Sequence, residues 1–279
     1  MILDIKTLAD SIIRDIEIAV KNLHTTPSLT IIMVGNNSAS EVYVRNKIKT
    51  CESIGIKATL LHLPDTTTQW SLSDHIQKLN ADDTVHGILV QSPLPSSISA
   101  HEIFDTINPL KDVDGFSSTN IARLYSGDET GLIPGTPKGI MKIIEQYWIV
   151  EWKNVVVIGK SMIVGKPLSM LLLNAGATVT ICHSRTKGLS AHTKNADIII
   201  SAVGKKHLIT AEMVQPGVLV IDVGINVAED EGRKLSGDCD TKNIGKIADI
   251  TPVPGGVGPM TIAMLLSNVL LAYSLQWKN

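Results

Sequence analysis

Val155-Val156-Val157-Ile158-Gly159-Lys160-Ser161-Met162-Ile163-Val164-Gly165-Lys166-Pro167 is the stretch that decides the fold. Four β-branched residues in succession read as a strand buried on both faces, as strands of parallel sheets are. Glycine follows at once, and the apolar run that continues to Ala175 reads as a helix. A strand passing through such a turn into a helix opens a Rossmann-like βαβ unit, whose helix N-terminus can hold a phosphate on backbone N–H groups. The stretch departs from G-x-G-x-x-G, because Ser161 stands for the second glycine and the last glycine falls one residue late. A tight strand-to-helix turn with no ligand is the ordinary alternative.

Downstream, strands are predicted at Thr178–Cys182, Asp197–Ser201 and Val218–Asp222, separated by helical segments. An NAD enzyme usually places Asp or Glu after the second strand to bind the ribose hydroxyl. Here the chain reads Cys182-His183-Ser184-Arg185, a hydroxyl and a guanidinium, with Lys160 near. Those groups suit the extra phosphate of NADP, which is the predicted cofactor.

Upstream, the alternation continues: helix Asp4–Asn22, strand Thr30–Val34, helix Ser38–Ile54 closed by Gly55, and strand Lys57–Leu63. Helix Ser71–Asn80, opened by a Ser71/Asp74 capping box, strand Gly87–Val90 and a short helix at Ser99–Ile107 follow. Ser117–Pro134 is rich in Gly, Ser and Thr and reads as loop; Thr136-Pro137 then opens a new helix. The chain is therefore predicted to be α/β with parallel sheets, in two domains: 1–136 plus 260–279, and a Rossmann-like 137–259. The second takes the dinucleotide, and the apolar helix Met260–Gln276 returns to the first.

Composition narrows the function. Of 279 residues 44% are hydrophobic and 19% charged, and the formal net charge is −2 with Lys and Arg scattered. Neither a nucleic acid nor an anionic membrane meets a matching field. Cys51, Cys182 and Cys239 are odd in number and widely spaced, which fits neither a disulfide framework nor a zinc site. None of the eight histidines is three or four residues from another, so no metal is expected. The N-terminus mixes acidic and basic residues and is unlike a signal or transit peptide. Met260–Tyr273, interrupted by Ser267 and Asn268, reads as too short to cross a bilayer, and a cytoplasmic protein is expected.

Four further stretches carry chemistry. Tyr43 and Lys47 are an i, i+4 pair on the shoulder of the Val44/Ile48/Cys51 stripe. Gln91 follows a buried strand in Val90-Gln91-Ser92-Pro93-Leu94-Pro95, at a carboxyl end where ligands of α/β sheets gather. Lys111-Asp112-Val113-Asp114-Gly115-Phe116 offers two carboxylates before a glycine. Thr251–Thr261 packs three prolines and three glycines before a helix. The first three have ordinary alternatives: half-buried packing, a rigid turn and a solvated turn.

Taken in order, these stretches resemble the bifunctional methylenetetrahydrofolate dehydrogenase/methenyltetrahydrofolate cyclohydrolase family over nearly the whole chain. The motifs are Tyr43-x-x-x-Lys47, VQSPLP (90–95), DVDGF (112–116), PGTPKG (134–139), GKSMIVGKP (159–167), HSRT (183–186), DVGIN (222–226) and PVPGGVGPMT (252–261). The resemblance implies NADP-dependent oxidation of 5,10-methylenetetrahydrofolate and hydrolysis of the methenyl product to 10-formyltetrahydrofolate, serving purine biosynthesis. It implies a homodimer, and a folate pocket in a cleft between the domains. Tyr43, Lys47, Gln91 and Asp114 would be catalytic; Val90, Ser92, Pro254, Gly255 and Gly256 would join them in binding tetrahydrofolate derivatives. Gly159, Lys160, Ser161, Ser184, Arg185 and Ile225 would hold NADP. Lys47, held by Gln91, would transfer the proton in hydrolysis. The chain departs from the family at Gly135 (often Cys), Ser92 (often Leu), Lys160 (often Arg) and the run Ser236–Asp240. The alternatives are a dehydrogenase without hydrolysis, a shikimate-type NADP dehydrogenase, and a non-catalytic folate or nucleotide sensor.

Overall fold

The computed structural model describes residues 1–227 and 235–277. The chain folds into two compact units, one of residues 11–135 with 262–279 and one of residues 1–10 with 136–261. The first ten residues, assigned above to the first domain, therefore belong with the second. The reason is main-chain pairing: Ile250 N donates to Met1 O and Leu3 N to Ile250 O, so the N-terminus lies along a strand at the edge of the second unit's sheet.

The first unit is built on a parallel sheet of β1 (Ser28–Val34), β2 (Lys57–Leu63) and β3 (Gly87–Val90), in the order β2-β1-β3. Central β1 is apolar on both faces. Leu29, Ile31 and Met33 join Val44, Cys51, Leu265 and Val269 in one cluster, while Ile32 and Val34 meet Leu72, Ile76, Ile88, Val90 and Ile103 in another. A fully buried side chain of this kind is worth about 1.5–3 kcal/mol, so this alternation fixes which strand is central. Helix α1 (Ile5–Lys21) precedes the sheet; α2 (Ser38–Ser53) is capped by Asn37 and ends before Gly55, whose φ of 87° no side chain would readily accept.

Helix α3 (Gln69–Asn80) begins earlier than its expected cap. Thr68, not Ser71, is the N-cap, accepting from Ser71 N. The far end of α3 is closed by buried Lys111, whose Nζ donates to the carbonyls of Leu79, Asn80 and Asp82. A cation there completes carbonyls left over by the helix. After α4 (Ala100–Thr106), the expected loop Ser117–Pro134 contains a further helix, α5 (Ser118–Ser126). Ser117 caps it, and Gly127, at φ 77°, ends it. Its Ser- and Thr-rich start has the composition of a loop, but hydroxyl residues at a helix start are also what a cap needs.

The second unit holds a five-stranded parallel sheet of β4 (Asn154–Ile158), β5 (Thr178–Cys182), β6 (Ile198–Ser201), β7 (Leu219–Asp222) and β10 (Asp249–Ile250), ordered β10-β7-β6-β4-β5. β4 leads to β5 on one side and to β6 on the other, so the switch point lies between β4 and β6. Helices α6 (Gly135–Tyr147), α7 (Gly165–Asn174), α8 (Leu189–Thr193) and α9 (Thr241–Ile244), with a 3-10 turn at Ala211–Met213, complete it. An antiparallel pair, β8 (Asn226–Val227) with β9 (Leu235–Ser236), and two-residue β10 were absent from the sequence reading, being too short to show a period.

The final helix, α10, runs Val257–Gln276. At twenty residues it is long and apolar enough to cross a membrane, contrary to the expectation that this stretch is too short, but 56% of its most apolar window is buried inside the protein. Leu266, Val269 and Ala272 are part of the first unit's core. Asn268 is also buried, and its Nδ2 donates to Val113 O and Ile133 O, at 2.8 and 2.7 Å.

Candidate active site

In the first unit, α2 and the end of β3 bring two polar side chains together. Lys47 Nζ donates to Gln91 Oε1 at 3.1 Å. Gln91 Nε2 donates in turn to Ser92 O at 2.7 Å, and Ser40 Oγ reaches the same carbonyl at 3.5 Å. The amide is thereby oriented with its oxygen toward the ammonium. Tyr43 stands one turn before Lys47 and is 48% exposed, so its ring is free to stack on a ligand. Val44 and Cys51, on the stripe beside this pair, are buried; burial pushes the Cys51 thiol up to about 12, leaving it inert.

The DVDGF stretch is a turn shaped by its own first carboxylate. Asp112 is buried and accepts from Gly115 N (3.0 Å), Ser117 N (2.8 Å) and Asn120 Nδ2 (3.0 Å). Gly115 sits at φ 69°, against the backbone of Leu132 to Pro134, where a Cβ would collide. This turn presents Asp114, whose carboxyl is pushed up to about 6 by loss of solvent; the charge of Lys47 opposes that rise and Asp112 adds to it. Lys47, Gln91 and Asp114 are thus one electrostatic group. Val90, expected among the substrate contacts, is 2% exposed, and its side chain packs in the core with Ile32 and Ile88. Ser92 is exposed.

In the second unit, the turn after β4 has the tight geometry a phosphate loop needs. Gly159, at φ 122°, lies against Ala202 O, and Gly165 lies against Gly159 O, each too close for a Cβ. Ser161 Oγ accepts from Val164 N and Gly165 N, at 3.2 and 3.4 Å, so this side chain caps the start of α7. Lys160 and Ser161 are exposed. After β5, His183 N donates to Thr186 Oγ1 and Arg185 N to His183 Nδ1, closing a turn that leaves Ser184 and Arg185 exposed. Ile225 is 47% exposed. Pro254, Gly255 and Gly256 also belong to this unit, where Gly255 has φ 94° and Gly256 lies too close to Pro252 O for a side chain. Among the described residues no cluster of three His, Cys, Asp or Glu could hold a metal.

The sequence reading gave Asp222 and Asp238 no role, yet both are buried, at 1% and 0% exposure, beside the ends of β6 and β7. Asp222 accepts from Gly224 N, Asp238 N and Cys239 N, and burial raises its carboxyl above the usual range. The available signal is two aspartates close to glycines, Asp222 two residues before Gly224 and Asp238 directly after Gly237.

Comparison with known proteins identifies the family. Residues 3–114 match the catalytic domain of tetrahydrofolate dehydrogenase/cyclohydrolase, and residues 134–277 match its NAD(P)-binding domain. The chain is 50% identical to the bifunctional protein FolD of Sulfurihydrogenibium sp. (strain YO3AOP1), over 98% of this chain and 97% of that one. Its structure is similar to that of the FolD methylenetetrahydrofolate dehydrogenase/cyclohydrolase of Campylobacter jejuni, with TM-score 0.95, 46% identity and 99% of both chains covered. The Trypanosoma brucei dehydrogenase-cyclohydrolase, solved with NADP cofactor and inhibitor, has TM-score 0.95 and 32% identity over 100% of this chain and 99% of that one. Shikimate dehydrogenase from Thermus thermophilus shares the fold alone, at 12% identity and TM-score 0.52. With both halves matched in order, the chain belongs to the tetrahydrofolate dehydrogenase/cyclohydrolase family.

Proposed function

We propose that this protein oxidises 5,10-methylenetetrahydrofolate with NADP and hydrolyses the methenyl product to 10-formyltetrahydrofolate. The observation that carries the reading is the Lys47–Gln91 hydrogen bond beside Asp114, a group suited to proton transfer that hydride transfer alone does not require. Bound NADP would supply the acceptor for the hydride that leaves the methylene carbon of the folate. Gly159, Lys160, Ser161, Ser184, Arg185 and Ile225 would hold it: the tight Gly159–Gly165 turn allows a pyrophosphate close to backbone, and the exposed hydroxyl and guanidinium of Ser184 and Arg185 fit a 2′-phosphate. For the oxidation, this chain's residues chiefly bind and orient.

Hydrolysis demands more. Water attacks the cationic methenyl carbon and a C–N bond of the imidazoline ring breaks; one of the water's two protons passes to the leaving nitrogen and the other is released to solvent, which takes away the positive charge. Lys47 Nζ is the group we assign to that transfer, held by Gln91 Oε1. Tyr43 offers a ring face to the pterin, and Asp114, once ionised, accepts from the pterin's amino and amide edge. Ser92, the main chain at Val90, and Pro254, Gly255 and Gly256 are assigned as further folate contacts. The family resemblance supports a cytoplasmic homodimer whose product serves purine biosynthesis.

The test is an absorbance assay with methylenetetrahydrofolate and NADP or NAD, with methenyltetrahydrofolate added separately. NADP-dependent reduction and accelerated hydrolysis are expected. Lys47→Met should lower hydrolysis by at least about 100-fold, the scale of a general acid–base contribution. Normal hydrolysis by that variant would remove Lys47 from the mechanism, and a parent protein without hydrolysis would leave a dehydrogenase only.

A further inference from the structure

The run Ser236–Asp240 contains the most heavily hydrogen-bonded carboxylate of those described, Asp238. Asp238 Oδ2 accepts from Ser201 Oγ (2.9 Å), Val203 N (2.9 Å) and Gly204 N (3.3 Å). Its Oδ1 accepts from Lys205 N (2.7 Å) and Asn226 Nδ2 (3.3 Å). Three consecutive backbone N–H groups therefore close on one buried carboxylate, forming the kind of nest that loops elsewhere offer to anions. The donors come from the end of β6, the loop after it and the start of β8.

Two features lock the carboxylate in place. Asp222 Oδ1 holds Asp238 N at 2.9 Å, and Asp222 Oδ2 holds Cys239 N at 2.8 Å. A Cβ at Gly224 would collide with the Asp238 carboxylate, and one at Gly237 with that of Asp222, so each aspartate is admitted by a glycine next to the other. The loop so fixed begins at Ala202, whose N–H donates to Ile158 O and whose carbonyl lies against Gly159. Ile158 and Ser201 are register partners at the carboxyl ends of β4 and β6, the switch point where an open α/β sheet binds its ligand. Asp238, at 0% exposure, sets the wall of that crevice without reaching into it.

We propose that Asp238 is a positioning residue for the dinucleotide: it holds the main chain of Ala202–Lys205 against the Gly159 turn and so fixes one wall of the NADP seat. Asn226, bonded to the same carboxylate, ties the neighbouring Ile225 to that wall. The inference rests on the reading of this unit as the NADP site. It predicts a split between the two activities, because hydrolysis of methenyltetrahydrofolate uses no dinucleotide while the oxidation does.

The experiment titrates NADP calorimetrically into the full-length parent and Asp238→Asn, and assays methenyltetrahydrofolate hydrolysis by both. The amide keeps the shape but turns a donor toward N–H groups, so NADP affinity should fall at least tenfold while hydrolysis stays within twofold. Affinity within twofold of the parent overturns the inference, as does parallel loss of both properties in folded protein. Should Asp238→Asn not fold, Ser201→Ala removes one of the five donors. Two- to fivefold weaker NADP binding with unchanged hydrolysis then supports the inference, and unchanged binding overturns it. A parent that binds no NADP overturns the cofactor reading and this inference together; a parent that binds and reduces NADP beside an unaffected Asp238→Asn overturns the inference alone.

Discussion

Asp112 and Asp238 are both buried carboxylates that gather backbone N–H groups, and they differ in where those groups come from. Asp112 closes on donors three, five and eight residues away, within the DVDGF turn and the α5 it leads into. Asp238 reaches donors 33 to 37 residues back, across β7 and into the loop after β6, with Asn226 twelve residues away. One shapes a turn within the first unit; the other ties together a loop near the switch point of the second. A local carboxylate turn shows in a sequence as acidic residue, short gap, glycine. A long-range one leaves no such mark, since three of its five partners are backbone groups that any residue would supply and the other two lie far away in the chain.

Removing the local anchor should have the largest effect. Asp112→Ala leaves buried donors unsatisfied at roughly 1–3 kcal/mol each, before relaxation, so a loss of about 3–5 kcal/mol in urea unfolding of the first unit is expected. Hydrolysis should fall with it while NADP affinity survives, the reverse of the split expected for Asp238→Asn. Equal losses of both properties in the two variants would erase the contrast between the anchors.

Asp114 sharpens the same contrast from the other carboxylate of the turn. Its carboxyl rises from 3.8 to about 6 on folding, so the folded state binds the proton more tightly and stability falls as pH rises between those values. Above pH 6 the difference is worth about 3 kcal/mol, before any screening. Asp114→Asn should therefore unfold at higher denaturant than the parent at pH 7 and lose that advantage below pH 4, while binding folate more weakly. Because Lys47 holds the Asp114 carboxyl down, Lys47→Met should move its titration above 6, which carboxyl NMR would read. A variant no more stable at pH 7 would mean that solvent reaches Asp114 freely.

The smallest effect belongs to an exposed position in the second unit. Lys160→Arg supplies a planar fork for phosphate in place of a point charge, and NADP should bind about two- to tenfold more tightly. The midpoint of unfolding should not move, since the side chain is solvent-facing. Unchanged affinity would remove Lys160 from the phosphate contacts.

How much was readable follows the same division. The strand Val155–Ile158, the spacing of Tyr43 and Lys47 and the glycines of the turn after β4 are local patterns, and each indicated its element. Lys47 and Gln91 were named from one helix face and one strand end; that they meet depends on the pairing of β1 with β3, which no local pattern states. The helix α5 was missed because its caps, Ser117 and Gly127, look like loop composition until their geometry is known. The N-terminal ten residues fall in the other unit because Met1–Leu3 pair with Ile250 through main-chain groups, a pairing with no hydrophobic period to show it.

The order of synthesis gives α10 another meaning. The first unit's core joins Leu29 and Ile31 to Leu265, Leu266 and Val269, and its turn is pinned by Asn268. Those partners follow the whole of residues 136–261 along the chain. A growing polypeptide therefore carries residues 11–135 with their core incomplete until the second unit has been made, so the folate side of the enzyme is the last to become native, and its exposed apolar strands are what a chaperone would meet first.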